Sequence, residues 1–308
     1  MKAIHARKLL RPIQPTYQEM FSGRVYTVGK GAVSVRNHSA EAEHTVIGVH
    51  GFLENHCYFT QTYQAPDTEL ILLTCSNYHI PVSDAATQPA PWEREIKYAE
   101  ATIEYDAAIL NQAMENLPTT GRIRVHGHSR GGAVILDAIR QRPDLYQHAD
   151  IVLEAPVLPG GRLHPMIKAL LEPVSHGMWP WVVRLINSSP SNVYSQTFLG
   201  KMTPRKRALL EKPFTATRDH LTIVRNIENI LEWMERHEPE ALYAPVQHGT
   251  FLLPQVDRIL DLRAMKASAE RSHNAWRIVE TRAQSHFITL DSLEWVPPLD
   301  QVPAAHVA

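Results

Sequence analysis

Several features that would place a protein in a special class are scarce or missing in this 308-residue sequence. No apolar run approaches the roughly 18 residues that a membrane-spanning helix needs, so integral membrane association is not expected. Lysine and arginine number 31 against 32 aspartates and glutamates, and the formal charge of −1 excludes the basic excess of a nucleic-acid binder.

Cysteine is nearly absent, and the two that occur, Cys57 and Cys75, form no CxxC pair. Residues 1–15 are basic but lack the apolar core and small-residue cleavage site of a signal peptide. Reduced thiols in a cytoplasmic protein are therefore the expectation.

Motifs for cofactors and metals are also missing. The sequence has no P-loop and no GxGxxG after a predicted strand, and its 17 histidines include no HExxH pattern. We therefore expect neither an organic cofactor nor a metal, and nothing in the pattern sets an oligomeric state.

What is present is an alternation of apolar strands and amphipathic helices. Continuous apolar runs predict strands buried on both faces, as in a parallel sheet. Apolar residues spaced three and four apart predict helices. The strands are expected at 24–28, 32–36, 45–49, 70–74, 123–125 and 151–153, and the helices at 93–117 and 131–140. This order predicts an α/β fold with a mostly parallel sheet flanked by helices.

A helical block interrupts that alternation. Helices are predicted at 163–171, 179–186, 204–210 and 219–236, with no strand between them. The alternation then resumes with a strand within 242–251, a helix at 254–272 and a strand at 276–281. We therefore expect a core in two parts, 1–156 and 241–295, an inserted helical cap at 157–240, and a proline-rich tail at 296–308.

The strongest chemical signal is the segment GHSRGG at 127–132, which contains the pattern G-x-S-x-G. It follows a predicted strand and precedes a predicted helix, where this pattern forms a tight turn that exposes its serine. Glycines at 127 and 131 remove side chains that would collide with the neighbouring strand and helix. Ser129 is therefore the predicted nucleophile.

A serine hydroxyl needs a base to take its proton, and His286 is the best candidate. It follows the last predicted strand, so its loop reaches the carboxyl edge of the sheet, where Ser129 also emerges. The competing His273 precedes that strand and is expected at the opposite edge.

The acid that would orient His286 is ambiguous. The loop expected after the strand at 246–250 contains no acid, and Asp257 falls within the predicted helix at 254–272. Glu154 ends an apolar strand beside Pro156, where an unpartnered carboxylate is expensive to bury. Glu154 is therefore the favoured acid, with Asp257 as the alternative.

Two backbone amides are candidates to stabilise the negative charge that develops on an attacked carbonyl oxygen. Arg130 supplies one at the start of its helix. The turn HGF at 50–52 follows the first buried strand, and Gly51 lets it turn sharply enough for the Phe52 amide to face the site.

Taken in order, the HGF turn, the GHSRGG elbow, the helical insertion and the late SHF resemble the α/β-hydrolase superfamily, over about residues 24–295. The resemblance implies an eight-stranded, mostly parallel sheet with a helical cap, and acyl-enzyme chemistry. A serine at the elbow favours esterase-like chemistry over haloalkane or epoxide opening. The missing acid after the predicted seventh strand departs from the superfamily pattern.

The predicted cap is rich in apolar residues, and Trp179 and Trp181 are candidates, with Gly51, to line a substrate pocket. The same residues also fit ordinary packing of a cap on the sheet. The expected activity is carboxylesterase- or lipase-like hydrolysis of a small ester or thioester with an apolar acyl or alcohol part. The alternative is a non-catalytic protein that binds a small ligand on the same scaffold.

Overall fold

A computed structural model describes residues 21, 23–37, 41–81, 86–169, 198–210 and 216–303 of the chain. Over these ranges one sheet contains nine strands. They are β1 (Arg24–Val28), β2 (Gly31–Arg36), β3 (His44–Val49), β4 (Thr68–Thr74), β5 (Ala86–Pro89), β6 (Ile123–His128), β7 (Asp150–Glu154), β8 (His248–Leu253) and β9 (Trp276–Glu280).

The order of strands across the sheet is β5-β1-β2-β4-β3-β6-β7-β8-β9. Within the described ranges only β2 runs against the others, since it pairs antiparallel with β1 and β4 while the remaining pairs are parallel. The prediction of a mostly parallel sheet is confirmed. The strand beyond the expected eight is β5, a short edge strand whose sequence ATQP carries no apolar run to reveal it.

The central strands are apolar because helices cover both faces of the sheet. Every residue of β3 and β4 is buried. The α-helices whose full extent is described are α1 (Ile103–Asn116), α2 (Arg130–Gln141), α3 (Pro204–Leu210), α4 (His220–Arg236), α5 (Pro239–Tyr243), α6 (Leu262–Ala269) and α7 (Ile288–Asp291). None of them is long and apolar enough to cross a membrane.

The start of α1 differs from the prediction of a helix at 93–117. Thr102 caps the helix by accepting a hydrogen bond from the Tyr105 amide, and Ala101 before it has a left-handed φ of 62°. A capping threonine preceded by left-handed backbone ends the run of helical conformation, so the apolar spacing upstream of it did not form helix.

The region after α4 also differs, and this difference bears on the site. Part of the strand predicted within 242–251 is instead α5, and β8 extends to Leu253. The helix predicted at 254–272 begins only at Leu262, because Asp261 caps it by accepting from the amides of Arg263 and Ala264. Residues 254–261 are therefore a loop at the carboxyl end of β8.

The helices predicted at 204–210 and 219–236 are present as α3 and α4. The helix predicted at 163–171 is described only to residue 169, and the one at 179–186 lies outside the described residues. The α4 helix is tied to the core: Asn226 donates to the Ala101 carbonyl (2.7 Å), and Trp233 donates to Asp137 (3.3 Å). The division into core and cap remains a prediction.

Candidate active site

The turn between β6 and α2 holds Ser129 in a backbone conformation that few residues adopt. Its φ is 53° and its ψ is −118°. The Ser129 amide donates to the Glu154 carbonyl (2.9 Å), and the Ser129 carbonyl accepts from the Val157 amide (2.9 Å). These bonds, to the last residue of β7 and to Val157 just beyond it, hold the turn against the strain of its backbone.

The glycines around Ser129 are required by close contacts. A Cβ atom on Gly131 would lie 2.1 Å from the Val49 carbonyl oxygen at the end of β3. A Cβ on Gly127 would lie 2.7 Å from the backbone of Gly131 and 2.6 Å from Ile135. A side chain at either position would therefore collide with the neighbouring strand or helix, as the motif predicts.

His286 lies in the loop after β9, beside this turn. Its ring centroid is 4.8 Å from that of His128, the residue before Ser129. His286 Nδ1 is 2.6 Å from Asp257 Oδ2. Since a carboxylate only accepts, Nδ1 carries a proton, which leaves Nε2 to accept one. Nε2 is buried and makes no hydrogen bond in the part of the chain that the structure describes.

Asp257 is the carboxylate that contacts this imidazole. Besides the bond to His286, its Oδ1 accepts from the amides of Ile259 (2.7 Å) and Leu260 (2.9 Å). Burial raises the pKa of Asp257, but the charge of His286 and the hydrogen bonds from His286 and the two amides lower it by a larger amount. The pKa of Asp257 therefore lies below its ordinary value. Asp257 is thus held as a carboxylate, in the loop at 254–261 rather than in a helix.

Glu154, the favoured acid of the sequence analysis, has other partners. Its carboxylate accepts from the Tyr58 hydroxyl (2.5 Å) and from the amide and hydroxyl of Thr289 (2.8 and 3.0 Å), and it lies 3.4 Å from His126 Nε2. Burial raises the pKa of Glu154, but the charge of His128 and the hydrogen bonds lower it to about 2. The contact expected of Glu154 is therefore made by the alternative, Asp257.

The two amides expected to stabilise an oxyanion belong to adjoining elements. Arg130 is the first residue of α2, and Phe52 lies in the turn after β3, the strand next to β6. The close approach of Gly131 to Val49 shows that this strand end touches the start of α2. The turn is tight: Leu53 has a φ of 59°, and its amide donates to the Tyr78 hydroxyl (3.2 Å).

The side chain of Arg130 forms a buried ion pair. Arg130 Nη1 is 2.8 Å from Asp106 Oδ2, and both side chains are buried. A second buried contact places a Glu54 carboxylate oxygen 2.8 Å from His128 Nδ1. Glu54 is not among the predicted site residues, although its place three residues after Gly51, within the same turn, is a signal that it can fold back on that turn.

The predicted pocket residues are only partly described. Trp179 and Trp181 lie outside the described residues. Gly51 is buried, and a Cβ on it would meet the Glu54 carboxylate at 2.7 Å, so Gly51 faces a charged group rather than an apolar wall. A cavity of about 520 Å³ adjoins the loops of Asp257 and His286, and its lining includes Lys201, Arg207, Arg258 and Ser285.

Comparison with known proteins places this geometry in a familiar fold. No family model and no curated protein matches the sequence. Solved structures do match. An esterase from Exiguobacterium antarcticum has a TM-score of 0.63 at 13% identity and covers 88% of this chain and 94% of its own. A lipase-esterase related protein from Clostridium acetobutylicum has a TM-score of 0.58 at 14% identity, covering 86% and 96%.

An α/β-hydrolase fold protein from Nakamurella multipartita also matches, with a TM-score of 0.53 at 16% identity, covering 88% of this chain and 95% of that one. Identities this low show the fold alone. The chain therefore has the α/β-hydrolase fold that its sequence resembles.

Proposed function

We propose that this protein is a serine hydrolase that cleaves a carboxylic ester or thioester through an acyl-enzyme on Ser129. The observation that carries the proposal is the histidine at the serine turn. His286 is bonded to Asp257 through Nδ1, and its Nε2 is buried at the carboxyl edge of the sheet that also holds Ser129. Esterases and a lipase-related protein among the structures of this fold support it.

In the proposed reaction, Ser129 Oγ attacks the substrate carbonyl carbon while His286 Nε2 takes the hydroxyl proton. Asp257 stabilises the imidazolium that forms. The Arg130 and Phe52 amides donate to the oxyanion. When the tetrahedral intermediate collapses, the carbon–oxygen or carbon–sulfur bond breaks, and the leaving alcohol or thiol receives the proton from His286. A water molecule then hydrolyses the acyl-enzyme by the same steps.

A fluorophosphonate probe tests the nucleophile. We expect the wild-type protein to be labelled on Ser129 and the Ser129→Ala variant to remain unlabelled. The matched control is Ser34→Ala, because Ser34 is a fully buried serine of β2, outside the proposed machinery. Absence of labelling in folded wild-type protein would overturn the proposal in favour of a ligand-binding protein on this scaffold.

The substrate is proposed to be a small ester whose acyl or alcohol part is apolar. A series of p-nitrophenyl esters of rising acyl length, with one matched thioester, measures this preference. Since Lys201, Arg207 and Arg258 line the cavity beside Asp257, the series should include an ester with a terminal carboxylate. Preference for the carboxylate ester over a neutral one of equal length would overturn the apolar assignment but not the serine chemistry.

A further inference from the structure

Three buried histidines lie at this edge of the sheet: His50, His128 and His286. They face different hydrogen-bonding groups. The Cys75 amide donates to His50 Nε2 (3.1 Å), so the proton of His50 is on Nδ1, which contacts the Gly51 carbonyl (2.8 Å). A ring that accepts on one nitrogen and donates from the other is neutral. His50 is therefore a neutral imidazole with a fixed tautomer.

His128 has different surroundings. Its Nδ1 lies 2.8 and 2.9 Å from the two carboxylate oxygens of Glu54, and its Nε2 lies 3.1 Å from the His286 carbonyl oxygen. Carboxylates and carbonyls only accept hydrogen bonds. Both ring nitrogens must therefore carry a proton for both contacts to be hydrogen bonds, which makes His128 a buried imidazolium next to Ser129.

Glu54 extends this contact to the turn after β3. The Gly51 amide donates to Glu54 Oε2 (2.7 Å), and the carboxylate lies over Gly51 so closely that any Cβ there would displace it. The Phe52 amide lies between these two residues in the chain. Glu54 therefore fixes the turn that carries one of the proposed oxyanion donors.

One chain of hydrogen bonds thus joins three loops: the Gly51 turn, the serine elbow and the histidine loop. We propose that the Glu54–His128 ion pair is a positioning device for the serine hydrolase, and that activity requires His128 to be protonated. This inference rests on the proposed function. The pair would hold the Phe52 amide and the His286 ring in place relative to Ser129, since small displacements of reacting groups cost large factors in rate.

The surroundings of His128 favour the cation. The Tyr58 ring stacks on it with centroids 4.4 Å apart and planes 11° from parallel. Burial lowers the pKa of His128, but the charges of Glu54 and Glu154 and the bond to His286 raise it to about 9. The titratable groups that face it are Glu54 and Tyr58 after β3, His126 on its own strand, Glu154 on β7 and His286 after β9.

The consequence is a loss of activity on the alkaline side. Below its pKa, His128 donates from both nitrogens; above it, one of the two bonds is lost and the three loops are no longer joined. Lys206 is another group at this edge that loses a proton in alkali, and it binds Ser285 and Asp291 (both 2.8 Å) rather than His128. A substitution at Glu54 should therefore move an alkaline loss of activity that comes from His128 and leave one that comes from Lys206.

The test is Glu54→Gln, which keeps the size of the side chain and removes the counter-charge. We expect kcat to fall about tenfold to a hundredfold, with KM nearly unchanged, and the alkaline limb of the pH profile to move down by at least about one pH unit. The matched control is Glu69→Gln, because Glu69 is a buried glutamate near the amino end of β4. That variant should keep the wild-type limb.

An unchanged alkaline limb in a folded Glu54→Gln variant would overturn the inference. A second measurement does not depend on activity: NMR titration of the His128 ring in the Ser129→Ala variant, assigned by comparison with His128→Gln. Protonation that persists above pH 8 supports the inference, and a ring that is neutral at pH 7 overturns it. Failure of wild-type protein to react with a fluorophosphonate would instead count against the proposed function.

Discussion

Glu154 and Asp257 are two buried carboxylates at the carboxyl ends of neighbouring strands, β7 and β8, and they have different partners. Glu154 is the last residue of β7 and accepts three hydrogen bonds from Tyr58 and Thr289. Asp257 follows β8 in a loop, accepts two backbone amides on one oxygen and presents the other to His286. Both carboxylates are shielded from water, so burial alone does not distinguish them.

What distinguishes them is the nature of their donors. Glu154 accepts hydrogen bonds from one amide and two hydroxyls, and it lies 3.4 Å from His126 Nε2, so it holds Tyr58 and the start of α7 against the sheet. Asp257 is hydrogen-bonded to Nδ1 of His286, whose Nε2 makes no hydrogen bond in the described ranges. The charge of Asp257 can therefore stabilise His286 when Nε2 takes up a proton. We therefore expect Glu154 to stabilise the fold and Asp257 to take part in the proposed chemistry.

The largest expected effect separates the two in activity. Asp257→Asn removes the charge that stabilises the His286 imidazolium, and we expect kcat for a p-nitrophenyl ester to fall by about ten-thousand-fold. Glu154→Gln should lower kcat far less. A greater loss of kcat in a folded Glu154→Gln variant would reverse the assignment.

A smaller effect is expected in stability at low pH. The pKa of Glu154 is about 2, below its ordinary 4.5, so its contribution to the free energy of unfolding is present above pH 4.5 and is lost as pH falls towards 2. That contribution is about 3 kcal/mol at most. Urea unfolding from pH 6 to 2 should show a shallower decline for Glu154→Gln than for wild type, and equal slopes would argue against a charged Glu154.

The smallest effect concerns one donor to Glu154. Tyr58→Phe leaves the ring stacked on His128 but removes the hydroxyl, and we expect it to lower the free energy of unfolding by about 2 kcal/mol, as for hydrogen bonds to charged groups. Urea unfolding at pH 7 measures this. A fall in the kcat of Tyr58→Phe to the level of Asp257→Asn would instead indicate that Glu154 takes part in catalysis.

The sequence predicted the sheet and the serine elbow because both depend on local patterns. Apolar runs marked β3 and β4, and the glycines at 127 and 131 mark a turn that tolerates no Cβ. The predicted nucleophile and base both lie at the carboxyl edge, since strand direction alone fixes which loops meet there.

The ranking of the acids depended on element boundaries, which sequence patterns define poorly. The helix predicted at 254–272 begins with Pro254, a residue that suits the first turn of a helix, whereas Asp261 makes the actual cap, eight residues before the end of α6. Placing the helix too early put Asp257 inside it and left the loop without an acid. The Glu54–His128 pair was missed for another reason: two residues 74 apart in the chain meet only in the folded protein.

The proline-rich end of the chain shows the same dependence on distant contacts. The sequence predicts a proline-rich tail at 296–308, and in the structure the buried Arg124 of β6 donates to the carbonyls of Pro297 and Pro298 as well as to Asp150. Pro297 and Pro298 are therefore held at the amino end of β6, the strand whose other end leads into Ser129.

The backbone of Ser129 has a consequence for how such a protein changes over generations. A non-glycine residue at φ 53° and ψ −118° carries about 1–3 kcal/mol of conformational strain, which a glycine would not. A change of Ser129 to glycine, which removes the hydroxyl together with the Cβ, would therefore relieve this strain. The serine proposed as nucleophile is thus kept at a cost in stability, and without the proposed reaction a glycine would be the more stable residue at this turn.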